Sequence, residues 1–234
     1  MTSNRTNPYI IGIPVYDGVD LLDVCAPCEV FGWMADSWNG PRPVQVLVLA
    51  QNNGSVQTRG RLPIVPHRTF DQVKALDLLW VPGGDPAALA MLMKDSMFLA
   101  QLRAWSEHAE YVTSVCEGAM LLAAAGLLDG HRATTHWAFT PCLRKYKKIT
   151  VIGEESGSPR FVVDPKDPPP GARGVRVTGA GVSAGLDEAL ELVRRIAGED
   201  IATQVQVSIQ YFPDPPVHGT LPVPTSCPPP LDAL

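Results

Sequence analysis

Apolar residues along this chain come in short runs divided by turn residues, with longer stretches of helical spacing between them. Tyr9 to Tyr16 is one such run, ended by Asp17-Gly18, and Leu21 to Ala35 then carries apolar residues at roughly helical intervals; strand, turn and helix are predicted in that order. Val44 to Ala50 is a second, β-branched run. Gly54, Gly60 and Pro63 punctuate the short segments after it, and Leu76 to Val81 ends at Pro82-Gly83-Gly84-Asp85. Ala87 to Ala109 predicts helix with a break at Asp95-Ser96, and Tyr111 to Val115 predicts a strand running straight into Cys116-Glu117-Gly118-Ala119. Leu121 to Leu128 continues as an apolar helix closed by Asp129-Gly130, and a short Thr-rich strand, Ala133 to Thr135, leads to His136-Trp137. Phe161 to Val163 and Val175 to Thr178 read as strands around a Pro-rich loop, Asp164 to Gly174. Ser183 is placed to cap a helix reaching Gly198, with Leu186, Leu190, Val193 and Ile196 on one face and Asp187 and Glu188 in the first turn, where the helix dipole favours acids.

Alternating strands and helices predict an α/β fold with a mainly parallel sheet covered by helices on both faces, and such sheets carry their sites beyond the carboxyl ends of the strands. The 234 residues are read as one domain over 9–212, preceded by a flexible polar segment, 1–8, and followed by a Pro-rich tail, 213–234, that wraps the surface or moves freely. A formal charge of -5 without any Lys/Arg run excludes a phosphate-tracking face, so no nucleic-acid partner is expected. The polar N-terminus and the early stop of the first apolar run at Asp17 argue against a signal peptide or membrane span and for a cytoplasmic location. The cysteines, at 25, 28, 116, 142 and 227, are odd in number and lack zinc-site spacing, so reduced thiols and no metal are expected, and nothing suggests a partner for Cys142 or Cys227. Cys25-Ala-Pro-Cys28 has redox-motif spacing but lies inside the first predicted helix, where two small core-facing cysteines are the expected outcome.

Chemistry concentrates at Cys116. A thiol where a strand meets a helix, followed by Gly118 and Ala119, has the logic of a nucleophile elbow: small residues permit the sharp turn, the helix end favours thiolate, and neighbouring amides can hold a developing charge. Glu117 complicates this, because a carboxylate aimed at the sulfur would raise the thiol pKa. It is therefore expected to point away, the alternative being its own part in proton transfer.

Val112-Thr-Ser-Val-Cys116-Glu-Gly-Ala, with Gly126-Leu-Leu-Asp-Gly-His-Arg-Ala-Thr-Thr-His136-Trp, resembles the DJ-1/PfpI superfamily and its isonitrile hydratase branch in particular. Leu22-Asp23, Val81-Pro-Gly-Gly84 and Thr178-Gly-Ala-Gly-Val-Ser-Ala-Gly-Leu-Asp187 extend the resemblance over most of 9–212. It implies a flavodoxin-like three-layer sandwich, a homodimer, and cofactor-free hydration of a small isonitrile to an N-substituted formamide. Cys116 would be the nucleophile and Asp23 the acid and base, with the amides of Gly84 and Glu117 holding developing charge and His136 a secondary candidate. Glu117 departs from the branch, which usually has Thr there, and from the proteases of the superfamily, which have His. A cofactor-free glyoxalase or thiol-protective role is the alternative within the superfamily. A ligand-sensing domain is the alternative outside enzymes, although the chain shows no basic helices for DNA.

Overall fold

The protein is described from a computed structural model, which covers residues 7–153, 159–169 and 171–233. Residues 1–6 of the predicted N-terminal segment lie outside the described residues. From the N-terminus the chain forms β1 (Tyr9–Pro14), α1 (Leu21–Ser37), β2 (Val44–Ala50), β3 (Val56–Gln57), β4 (Pro63–Ile64), β5 (Arg68–Thr69), β6 (Leu78–Val81), α2 (Pro86–Leu92), α3 (Ser96–Ser106) and β7 (Tyr111–Ser114). The second half adds α4 (Gly118–Ala124), β8 (Arg132–Ala133), α5 (Thr140–Leu143), β9 (Thr150–Val151), β10 (Phe161–Asp164), β11 (Val175–Gly179), α6 (Ala184–Ala197) and α7 (Glu199–Ser208).

Seven strands make the central sheet in the order β10-β11-β7-β6-β1-β2-β5. Every pairing is parallel except β10 against β11. The apolar runs predicted as strands supply its centre: β6 is buried at every position and β1 at all but Ile10, as a sheet covered on both faces requires. The chain leaves β1 for β2 on one side and later for β6 and β7 on the other, and right-handed crossovers in opposite directions place helices on opposite faces. Accordingly α1, α6 and α7 pack together on one face, while α4 gathers α2 and α3 on the other. The strand order reverses between β1 and β6, the position where doubly wound sheets open a crevice at their carboxyl ends. Trp80 on β6 meets Phe31 of α1 edge-on at 5.8 Å, and Trp105 of α3 meets Phe70 at 4.9 Å; each such ring contributes about 2–3 kcal/mol through burial.

Five expectations change. The Thr-rich segment joins no central strand: β8 pairs with β9 in a separate two-stranded ladder. Ser183 sits at the start of α6 but makes no side-chain cap; its hydroxyl accepts from Arg160 Nη1 at 3.1 Å. The buried face of α6 is Gly185, Glu188, Ala189, Leu192 and Val193, so Glu188 is fully enclosed rather than in solvent at the first turn. The cysteines are not all free. Cys142 and Cys227, 85 residues apart, form a disulfide that ties the Pro-rich tail to α5, and Leu231 beyond it is buried. Sequence spacing could not show this pair, because folding alone brings the two Cα atoms to 4.8 Å. Cys25 and Cys28 remain free, but Cys25 is exposed: the core side of α1 is taken by Val24, Pro27, Val30, Phe31 and Met34.

Candidate active site

β7 delivers Cys116 to the carboxyl edge of the sheet and α4 leaves two residues later. Its φ of +56° lies in the left-handed region, which a residue with a Cβ enters only when its surroundings enforce it. Two bonds do so: the Cys116 amide donates to the Ala180 carbonyl at 2.8 Å, and Thr135 Oγ1 donates to the Cys116 carbonyl at 2.8 Å. The turn closes onto β6, since a Cβ on Gly118 would lie 2.0 Å from the Val81 carbonyl oxygen. The predicted elbow is therefore present, with the sulfur-bearing residue 1% exposed.

Asp23 reaches the same point from α1, where Pro27 helps to fix it. Proline has no N–H to donate to the carbonyl four residues earlier, and the Asp23 carbonyl accepts instead from Trp80 Nε1 at 2.9 Å. The carboxylate accepts from the Gly83 amide at 2.9 Å through Oδ2, while Oδ1 has no partner among the described residues. Burial holds the Asp23 carboxyl well above the usual range, with the Gly83 amide opposing it. Ligand atoms of Asp20, Asp23 and Cys116 lie within 4.8 Å of one another, a set for which a divalent cation and protons would compete.

Asp20 was not singled out by the sequence reading. Its backbone donates to the Gly83 carbonyl at 3.0 Å and its carboxylate lies 3.8 Å from Arg59 Nη1. Burial raises its pKa and Arg59 draws it back. The available signal was the pair Asp20 and Asp23 three residues apart at a helix start, which puts two acids on one side of the first turn.

Glu117 corrects an expectation. It points inward, 4% exposed, and engages the Cys116 thiol and its own backbone amide, while Oε2 has no hydrogen-bond partner among the described residues. The tight turn explains the direction: α4 and β6 close over the elbow, and Gly83 lies so near that a Cβ there would come within 2.5 Å of Glu117 Oε2 and 2.8 Å of Cys116 Cβ. Burial raises the Glu117 pKa. Burial, then the Asp23 and Glu117 carboxylates, push the Cys116 thiol well above its ordinary value, and the Val182 amide pulls the other way. The expectation that the helix end favours thiolate is thereby reversed, because the seven-residue α4 offers a short dipole against two nearby acids.

Gly84 sits beside this cluster, opposite Val19 in an antiparallel bridge carried by Asp20 N–H to Gly83 and Asp85 N–H to Gly18, which leaves the Gly84 amide out of the ladder. His136 lines a cleft of about 330 Å³ with Thr135, Trp137, Gly181, Val182 and Leu221 of the tail. Thr135, Ala180 and Val182, the residues that hold Cys116, line the cleft, while Cys116 and Asp23 themselves do not. His136 Nδ1 accepts from the Ala138 amide at 3.3 Å and its ring packs on Trp137 and Phe139; burial lowers its pKa, so the ring is neutral at pH 7. It shapes the cleft and is not among the groups clustered at the sulfur.

Comparison with known proteins agrees with this arrangement. The chain is 36% identical to an isonitrile hydratase of Pseudomonas putida over 91% of its own length and 82% of that protein's. It is 32% identical to the transcriptional regulator CdhR of Pseudomonas aeruginosa over 70% of its length, a match that spans 41% of the regulator. The crystal structure of a ThiJ/PfpI family protein from Pseudomonas syringae superposes with a TM-score of 0.76 at 31% identity, covering 91% of this chain and 79% of that one. Drosophila melanogaster DJ-1beta shares the fold at a TM-score of 0.70 and 16% identity, covering 87% of this chain and 98% of that one. The DJ-1/PfpI family pattern matches residues 11–194, and with elbow, sheet order and relatives in agreement, the chain belongs to the DJ-1/PfpI family.

Proposed function

We propose that this protein is an enzyme that hydrates an isonitrile to an N-substituted formamide through Cys116, without a cofactor. The observation that carries the reading is the buried Asp23 carboxylate within 4.8 Å of the Cys116 sulfur at a strained elbow, beside an apolar-walled cleft. The 36% identity to an isonitrile hydratase supports it.

Cys116 sulfur attacks the terminal carbon of R–N≡C. The thiol proton passes to Asp23, which delivers it to that carbon, giving the thioimidate R–N=CH–S–Cys. Asp23, now ionised, draws a proton from water as the oxygen adds to carbon, and that proton goes to nitrogen. Collapse of R–NH–CH(OH)–S–Cys breaks the C–S bond, and the hydroxyl proton returns to sulfur, releasing R–NH–CHO. Burial raises the Asp23 carboxyl above the usual carboxylate range, which suits a group that must hold a proton as well as release it. Glu117, bonded to the thiol, is assigned to orienting the S–H. The Gly84 amide, and the Glu117 amide once its own carboxylate turns from it, are assigned to the charge that develops on the substrate.

A pair of chains is part of the reading: α1 leaves Leu21, Leu22 and Trp33 partly exposed, which supports a homodimer, to be measured by sedimentation. No helix among the described residues is long and apolar enough to cross a membrane. The match to a regulator favours ligand sensing as the second reading, because the elbow would then serve as a binding site.

The test is conversion of cyclohexyl isonitrile to N-cyclohexylformamide by the purified reduced protein, with Cys116→Ser and a methylglyoxal reaction in parallel. Formamide from the wild type and none from the variant supports the hydratase. Lactate instead would establish a glyoxalase, and binding of isonitrile without turnover would establish the sensing reading.

A further inference from the structure

Among the described residues that line the cleft of about 330 Å³, Leu221 alone comes from beyond α7; the others lie within 134–183. Those other walls are fixed by their surroundings. The His136 ring packs on Trp137 and Phe139 and stands so close to Gly181 that a Cβ there would meet it at 2.6 Å. The backbone of Ala180 and Val182 is bonded to Cys116. The tail has no such support next to the cleft: from 213 to 226 it makes no backbone–backbone hydrogen bond among the described residues, and almost all of its side chains are exposed.

What holds the tail lies further along it. Cys227 is joined to Cys142 of α5, Leu231 is 1% exposed and shares a small cavity with Met120 and Tyr146, and Lys145 Nζ donates to the carbonyls of Leu231 and Asp232. The first residue of α5, Thr140, itself lines the cleft, so the disulfide fastens the tail to an element of the cleft. Cys227 follows Leu221 by six positions, a reach of at most about 20 Å. Pro222 and Pro224 narrow the conformations open to that stretch. A segment fastened at both ends, to α7 and to α5, samples far fewer positions than one with a free end, and the disulfide supplies the second fastening.

We propose that Leu221 is a specificity-determining residue: held against the cleft by the Cys142–Cys227 disulfide, it forms the wall on which the apolar substituent of the substrate packs. Thr135, Ala180 and Val182 line the cleft and hold Cys116, so a substituent lodged there lies beside the residues that fix the nucleophile. The volume stands at the low end of the roughly 300–1,000 Å³ of small-molecule sites. The substrate class is therefore a compact aliphatic isonitrile whose ring or branched chain reaches Leu221. Leu221 is 57% exposed, so its contact with that substituent contributes only part of what burying a whole leucine would.

The substrate class rests on the hydratase reading, but the tethered wall does not, and the two are measured separately. Peptide mapping of the whole protein kept free of reductant should recover Cys142 linked to Cys227, and absence of that linked peptide would overturn the tether. Hydrogen exchange reads the wall without substrate: peptides covering 134–140 and 180–184 should exchange at least about threefold faster in Cys227→Ser than in wild type. Equal rates would overturn the wall. In turnover, Leu221→Ala and Cys227→Ser should each raise KM for cyclohexyl isonitrile by about three- to tenfold, with kcat within about twofold. KM for methyl isonitrile should stay unchanged, because a methyl group is too small to reach the tail. A rise for both substrates, or for neither, would overturn the assignment of Leu221, and a rise in Leu221→Ala alone would overturn the tether. Should wild type hydrate no isonitrile, the hydratase reading fails and hydrogen exchange alone decides the wall. Leu221→Ala, which keeps the disulfide, takes the place of Cys227→Ser in the exchange measurement if that variant does not fold.

Discussion

The two ends of the central sheet treat acidic residues in opposite ways. At the amino ends of the strands, Asp77 receives two bonds from Arg42, at 2.8 and 2.7 Å, and a third from the Ile10 amide at 2.8 Å. Glu110 accepts from the Tyr9 hydroxyl at 3.1 Å, and Arg42 lies over the Tyr9 ring. At the carboxyl ends, Asp23 Oδ1, Glu117 Oε2 and both Glu188 oxygens have no partner among the described residues. The same residue types thus clamp strands at one end and stand buried and unpaired at the other, where burial raises their pKa. The difference lies in the counter-charges: a guanidinium fork satisfies the first acids, whereas Arg59 reaches only Asp20 among the second. Bond satisfaction marks the structural end, and its absence marks the candidate chemistry.

The contrast is broken most directly by matched substitutions. Asp23→Asn keeps the shape and removes the transferable proton, and turnover of isonitrile should fall by roughly 10²–10⁴-fold. Arg42→Ala in the same assay should leave kcat within twofold. If Arg42→Ala lowers kcat as much as Asp23→Asn does, the two ends are not functionally distinct.

Stability should respond in the reverse order. Arg42→Ala strips Asp77 of a bidentate partner that is itself about a third exposed, so a loss of about 1–2 kcal/mol is expected in urea unfolding. Asp23→Asn should cost less than that, because the site already leaves one of its oxygens unpaired.

Glu117→Gln sharpens the picture at the sulfur. The Glu117 carboxylate raises the Cys116 thiol pKa, so its removal lowers that pKa and increases the thiolate fraction at neutral pH. Alkylation by iodoacetamide should quicken by about three- to tenfold. An unchanged rate would mean that Glu117 does not act on the thiol.

The smallest expected effect concerns Glu188. Its folded-state pKa is raised, so the folded protein binds more protons than the unfolded chain, and this group's contribution falls as pH rises from the ordinary carboxylate range toward the folded value. Glu188→Gln removes that slope. Its melting temperature should gain on the wild type between pH 5 and pH 8 by about 2–4 °C for each kcal/mol relieved, and draw level toward pH 4. A constant difference across that range would show that Glu188 does not titrate on unfolding.

Much of the architecture was legible in the chain, for reasons that particular residues make plain. Period and punctuation located β1, β2, β6, β7, α1 and α6 to within a few residues, because continuous apolar runs suit a sheet buried on both faces. The short strands β5 and β9 and the helix α7 carried no comparable signal; two-residue strands are shorter than any period can reveal. Cys116 was legible because it stands where β7 has just ended, and parallel sheets gather such positions at one edge; Asp23, inside α1, was legible only through the resemblance of Leu22-Asp23. Gly83 and Gly84 were legible as a turn, but only the structure shows that Gly83 supplies the amide to Asp23.

What the sequence by itself determined is the order of elements, the elbow, and the edge of the sheet on which chemistry gathers, since these follow from neighbours along the chain. Tertiary structure alone decided that Glu117 faces inward, that Asp20 joins the cluster, that Glu188 lies buried behind the elbow, and that Cys142 meets Cys227. Local period states which residues share a face of a helix or strand. Which face is covered, and which acid is left without a partner, depends on contacts between segments tens of residues apart, such as Gly83 with Asp23 or Gly179 with Glu188, and those exist only once the layers have packed.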